Sequence, residues 1–165
     1  MSMQYDVKSG HLNVAGFFLI GRTRLKGLMT VASGASAITL WDTATAPVSA
    51  TYERVGTLIT VTKSSHGLTD GQILGLNFAV ATLQGTAGNY VISVLNANTF
   101  TVTDVNTGTV AASTDCVYAQ RFLMATDGNA AGNVQTVLIP GEGILAINGI
   151  YVSMTNTTGV TVFYG

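Results

Sequence analysis

The stretch Ile144-Leu145-Ala146-Ile147-Asn148-Gly149-Ile150-Tyr151-Val152-Ser153-Met154 decides the fold class. Asn-Gly between two runs of β-branched and aromatic residues is the strongest short-range hairpin signal, because both central positions of a type I′ turn need positive φ. It predicts strands over 144–147 and 150–154 joined by a tight turn. Downstream, 155–159 reads as a last turn and 160–164 as the final strand. Upstream, Pro140-Gly141-Glu142-Gly143 is a turn, 134–139 a strand, 126–133 a long turn and 118–124 a strand.

The N-terminal part has the same texture. Residues 1–8 form an arm or an edge strand. Strands are predicted over 12–20, 25–31 and 37–41, the last two separated by the small-residue turn Ala32-Ser33-Gly34-Ala35-Ser36. A loop covers 41–47, and 49–55 alternates again. The texture changes near Thr57. Leu58-Ile59-Thr60-Val61-Thr62 alternates cleanly, and further short strands are predicted over 72–78, 90–95 and 99–103. Turns fall at His66-Gly67-Leu68-Thr69-Asp70-Gly71, 85–88, Asn96-Ala97-Asn98 and Asn106-Thr107-Gly108. From Gly71 to Thr114 the only charged residue is Asp104.

The expected architecture is therefore all-β: a jelly-roll-like β-sandwich with an inserted small β-module. The sandwich is a discontinuous domain of 1–56 plus 117–165, and the module occupies 57–116. Four strands from the N-terminal half leave an open apolar face that the C-terminal strands close. No fixed-period repeat points to a solenoid.

Composition agrees with this reading. The 165 residues include 24 Thr, 18 Val and 19 Gly but only two Pro, Pro47 and Pro140. Branching at Cβ suits a pleated, half-buried surface. No window carries a helical apolar stripe, so almost no helix is expected. High hydrophobicity with low net charge excludes intrinsic disorder. Charged residues are 9% of the chain, against about 25% in an ordinary soluble domain. The edge strands thus lack their usual ionic guards, and neighbouring copies or a larger assembly are expected to cover much of the surface.

The same numbers restrict function. A net charge of −1 argues against a protein that coats nucleic acid or an anionic membrane. Ala15-Gly16-Phe17-Phe18-Leu19-Ile20-Gly21 is too short to span a bilayer. The first residues show no secretion signal, so synthesis and folding in a cytoplasm are expected. Cys116 has no partner for a disulfide and is expected to be a buried, inert thiol.

No constellation supports catalysis, and the chain is expected not to be an enzyme. Ser64-Ser65-His66-Gly67 with Asp70 places triad residue types in one turn, where a histidine bonding locally is the simpler reading. No metal is expected. Asp127-Gly128-Asn129 and Asp104-Val105-Asn106 are oxygen-bearing turns that suit backbone capping better than calcium. Gly141-Glu142-Gly143 opens no helix and is no phosphate cradle. No cofactor or small-molecule substrate is implied. The one concentration of charge is Arg22-Thr23-Arg24-Leu25-Lys26. At β spacing Arg22, Arg24 and Lys26 share a face, and they are the candidate partner-binding residues, for a carboxylate-rich protein surface first, for a phosphate or a glycan second, or, as the plainer reading, a solvated charged edge.

Two stretches resemble small virion structural proteins of tailed bacteriophages, especially those of marine and cyanobacterial hosts. The ending from Leu138-Ile139-Pro140-Gly141-Glu142-Gly143 through Asn148-Gly149-Ile150-Tyr151-Val152, with Val160-Thr161-Val162-Phe163-Tyr164-Gly165, looks like their C-terminal hairpin and last strand. Val61-Thr62-Lys63-Ser64-Ser65-His66-Gly67-Leu68, Gly88-Asn89-Tyr90-Val91-Ile92-Ser93-Val94 and Asn98-Thr99-Phe100-Thr101-Val102 are similar to a β-module inserted into many phage tail and capsid proteins.

The resemblance implies a virion component assembled in the host cytoplasm. The first expectation is a capsid decoration or cement protein, a homotrimer on the capsid surface that binds the major capsid protein. The second is a tail or neck component: an adaptor, nozzle or short fibre subunit. A third, of another class, is a host-glycan-binding module, which needs exposed aromatics; Trp41 with Asp42, and Tyr52, are its candidates, although a single Trp in a β-sandwich more often belongs to the core.

Overall fold

The computed structural model describes residues 7–79, 83–128 and 131–165, apart from the side chain at 128. In chain order the strands are β1 (Lys8–Leu12), β2 (Gly16–Ile20), β3 (Thr23–Asp42), β4 (Val48–Thr62), β5 (Ile73–Phe78) and β6 (Gly88–Val91). They continue as β7 (Ser93–Asn96), β8 (Thr99–Ala119), β9 (Arg121–Gly128), β10 (Val134–Leu138), β11 (Ile144–Ala146) and β12 (Gly149–Tyr164). The chain is all-β, with two antiparallel sheets of seven and five strands and no helix among the described residues. It divides into two compact units, one of Met1–Ala46 with Leu123–Gly165, the other of Pro47–Phe122.

The first unit is built on one long ribbon. β3 and β12 stay paired from Ile150↔Asp42 to Tyr164↔Leu25, with register shifts near Thr157 and after Phe163. The first half of β12 also pairs with β2, and its last residues pair with β1. On the other side of β3 lie β10, β11 and β9. Leu25, Leu28, Val160 and Val162 from one end of the ribbon join Ile38, Leu40, Ile150 and Val152 from the other end in one buried cluster. A side chain of this kind, fully enclosed, contributes about 2–5 kcal/mol against truncation to Ala.

Several sequence expectations are corrected here. The segment Ala32-Ser33-Gly34-Ala35-Ser36 is no turn: β3 runs through it as strand, although the register with β12 jumps there from Ala37↔Thr155 to Ala32↔Thr157 and leaves 33–36 without a register partner in β12. The turn expected at 155–159 likewise lies inside β12. The stretch 12–20 is two strands, interrupted at 13–15. The hairpin at Asn148-Gly149 does not form either. β11 pairs with the start of β3, whereas the first residues of β12 pair with its end. Only Gly149 has positive φ, at 137°, so the turn is not type I′.

Tertiary contacts replace that hairpin. The Asp42 carboxylate, 1% exposed, accepts the Ile147 N–H at 2.9 Å and the Asn148 N–H at 2.7 Å. The Gly21 N–H donates to the Asn148 carbonyl at 3.0 Å. A Cβ on Gly149 would sit 2.4 Å from the Leu19 carbonyl oxygen, so the corner closes only around glycine.

The second unit centres on β8. It pairs with β4 along almost its whole length and with β5 and β7 on its other side, and β6 extends β5. This compact unit begins at 47 and ends at 122, where the change of texture placed the module at 57–116. The reason is β4: residues 49–55, expected in the sandwich, are continuous with 58–62 and pair with β8. Tyr52 and Arg54 point inward before the bulge at Gly56, Ile59 and Val61 after it, so the register shift moves the buried face by one residue. The turn expected at Asn106-Thr107-Gly108 is likewise absorbed into β8.

Aromatic rings fill this core edge to face, Tyr52 against Phe78 with centroids 4.8 Å apart and Phe100 against Tyr118 at 5.7 Å. Cys116 lies among them, 2% exposed. Burial, with the Asp115 charge adding to it, pushes the Cys116 thiol up to about 12. Thiolate is the reactive form. The native protein is therefore expected to resist iodoacetamide at mildly alkaline pH and to react fully once unfolded, as mass spectrometry of the two samples checks.

Candidate functional site

The basic row is the first candidate, and β3 does not present it as an open stripe. Arg22 lies in the bend before β3 and is exposed. Arg24 and Lys26 both turn to one loop of their own chain, Pro140 to Gly143. Arg24 Nη1 donates to the Glu142 carbonyl at 3.3 Å, and its Nε lies 4.0 Å from Glu142 Oε2. Lys26 Nζ donates to the Gly141 carbonyl at 3.5 Å and is 7% exposed as a residue.

The pairing of β3 with β12 passes from Gly27 directly to Leu25 and skips Lys26, a bulge that breaks strict alternation. The loop that receives these cations is held by Gly141 and Gly143, with φ of 67° and 75°. A Cβ on Gly143 would meet the Leu25 carbonyl oxygen at 2.3 Å. Its carbonyls accept from cations, which is the opposite polarity to a phosphate cradle. Beside it a cleft of about 320 Å³ is lined by Val7, Lys26, Leu138, Ile139, Pro140, Gly141 and Phe163.

A second cleft, of about 450 Å³, surrounds the His66 turn between β4 and β5. The Leu68 N–H donates to His66 Nδ1 at 3.0 Å, which leaves the ring proton on Nε2 to donate to the Asn96 carbonyl at 3.0 Å. Both ring nitrogens thus serve the backbone. Asp70 Oδ1 accepts the Val94 N–H at 2.8 Å. The three triad residue types lie in one turn but are not in series, and the arrangement gives no base for Ser64 or Ser65.

The aromatics proposed for glycan stacking are corrected. Trp41 is fully buried, with Nε1 donating to Ser153 Oγ at 3.0 Å, and Tyr52 is 1% exposed. Stacking on a sugar needs an open ring face, which neither offers. Asp42 is the backbone clamp described above.

Asp104 is equally committed, and it reveals a feature that sequence reading missed. Arg54, 1% exposed in its side chain, pairs with Asp104 Oδ2 at 3.1 Å. Its remaining donors meet the carbonyls of Gly56 at 3.1 Å, Leu83 at 2.9 Å, Gln84 at 2.5 Å and Asn106 at 2.5 Å. All five guanidinium N–H groups are therefore used. Asp104 also accepts the Thr86 N–H at 2.8 Å and the Asn106 N–H at 3.3 Å. Its oxygens already serve a resident cation and two amides, so the Asp104-Val105-Asn106 turn is structural. The signal in the sequence was a lone carboxylate in a 44-residue uncharged stretch, 71–114, with no partner nearby in the chain. The other oxygen-bearing turn reaches Asn129, which lies outside the described residues, as do 1–6 of the expected arm. Among the described residues no cluster of metal-ligating side chains occurs.

The remaining candidate is surface rather than cleft. Ile20, Val134 and Leu138 in the first unit are 77%, 63% and 74% exposed, and Val105 in the second is 88% exposed. No protein-family model and no curated protein sequence matches this chain.

Proposed function

We propose that this chain is a non-enzymatic structural protein of a phage virion, a capsid decoration or cement protein that binds major capsid subunits. In this reading it stands on the capsid surface as a trimer over capsomer junctions, after assembly in the host cytoplasm. The first unit is taken as a jelly-roll-like sandwich built around the cluster that both ribbon ends share. Arg22 and the rim of the Arg24 side chain would meet acidic capsid surface. The observation that carries the proposal is the pairing of a chain with 9% charged residues with large aliphatic side chains standing in solvent on both units. With few ionic side chains to keep such a surface dispersed in water, contact with neighbouring protein would cover it.

Purified particles test it. Quantitative mass spectrometry of this chain against the major capsid protein is expected to give hundreds of copies per particle. About a dozen would point to the tail or neck component, and none would overturn the virion assignment.

A further inference from the structure

The geometry points to β10 as a two-fold contact through which a second copy of this chain adds its own β10, antiparallel and centred on Thr136. This inference stands apart from the virion reading, since it needs only the isolated subunit.

Two flanking bonds fix which backbone groups face outward. The Ala32 N–H donates to the Asn133 carbonyl, and the Ile139 N–H to the Lys26 carbonyl, both at 2.9 Å. With Gln135 opposite Thr30 and Val137 opposite Leu28, residues 133, 135, 137 and 139 are the ones bonded to β3. The N–H and C=O groups of Val134, Thr136 and Leu138 therefore point off the sheet. Among the described residues β10 pairs with β3 alone. The strand holds no charge and no proline, two of the devices that protect an edge.

A second copy fits these groups without remainder. With Thr136 opposite its own counterpart, Val134 falls opposite Leu138 on both sides of the axis. Each of the three opposed pairs exchanges two hydrogen bonds, which uses three donors and three acceptors on each strand. The exposed Val134 and Leu138 side chains then pair across the axis. Charge agrees: a strand with no ionic group brings no like charge to its copy, whereas a charged partner would gain nothing on it. Two five-residue edges meet over about 17 Å, well short of the roughly 1,200 Å² of a standard stable interface. Association of free subunits is thus weak and concentration-dependent, and it strengthens where other contacts already hold the copies together.

Sedimentation velocity from micromolar to millimolar protein tests the contact, with two variants. Thr136→Pro removes an N–H that faces away from β3, so the sheet keeps its bonds while the contact loses its centre. Self-association is expected to weaken at least tenfold with an unchanged circular dichroism spectrum. Thr136→Cys places two thiols across the axis at about 5.5 Å between Cα atoms. It is expected to form disulfide dimers under mild oxidant far faster than Thr107→Cys, an exposed control in the second unit. A wild-type chain that stays monomeric at millimolar concentration overturns the inference. So does association that Thr136→Pro leaves intact, or Thr136→Cys crosslinking no faster than the control.

Discussion

Replacing Arg54 by Met is expected to destabilise the second unit by about 3–5 kcal/mol, the usual cost of leaving one half of a buried ion pair alone. The change strips Asp104 of its cation and leaves the carbonyls of Gly56, Leu83, Gln84 and Asn106 without their donor. Urea denaturation followed by circular dichroism measures it. The double variant Arg54→Met with Asp104→Leu is expected to recover part of the loss, because no bare charge then remains inside. A loss below about 1 kcal/mol would mean that the pair behaves like an exposed one.

The same pair sets an acid limit. Burial alone would raise the Asp104 carboxyl. Hydrogen bonds from the Thr86 N–H and hydroxyl and from the Asn106 N–H, together with the Arg54 charge, outweigh burial and hold it below the usual range. A folded value below the unfolded value of about 3.9 means stability that is fully present above that pH and lost as pH falls through the folded value. Asp104→Asn is expected to remove this part of the acid dependence while lowering stability at neutral pH.

The second large effect is expected at Asp42. Asp42→Ala leaves the amides of Ile147 and Asn148 without their acceptor at a buried corner, at about 1–3 kcal/mol for each group. Asp42→Asn keeps one acceptor oxygen and is expected to cost about half as much. Trp41, the one tryptophan, is the neighbouring residue and fully buried, so its fluorescence reports the unfolding of the first unit. Equal stability of Asp42→Ala and wild type would show that the corner is held by β-pairing alone.

These two residues mark how far the sequence is legible. The weight of β-branched residues and the absence of a helical stripe carry the all-β class, and the strands read over 72–78 and 134–139 match β5 and β10 to within one residue. Asn148-Gly149 misleads because its neighbours find partners elsewhere: the ends of β3 lie far apart in the chain from both strands that flank the dipeptide. Residues 32–36 mislead for a related reason, since Gly and small polar residues mark a bend in a paired ribbon as readily as a turn. Arg54 and Asp104 are fifty positions apart, a separation that no local pattern spans. In the candidate site, Arg22, Arg24 and Lys26 are visible as a charge cluster, but the bulge at Lys26 and the carbonyls of the 140–143 loop are set by tertiary contacts.

Hydroxyl-radical footprinting of intact particles against the isolated subunit tests most directly whether neighbours cover this sparsely charged surface. Ile20, Val105, Val134 and Leu138 are expected to label readily in the free chain and to be protected in the particle. Equal labelling in both states, or particles that lack the chain, would contradict the account.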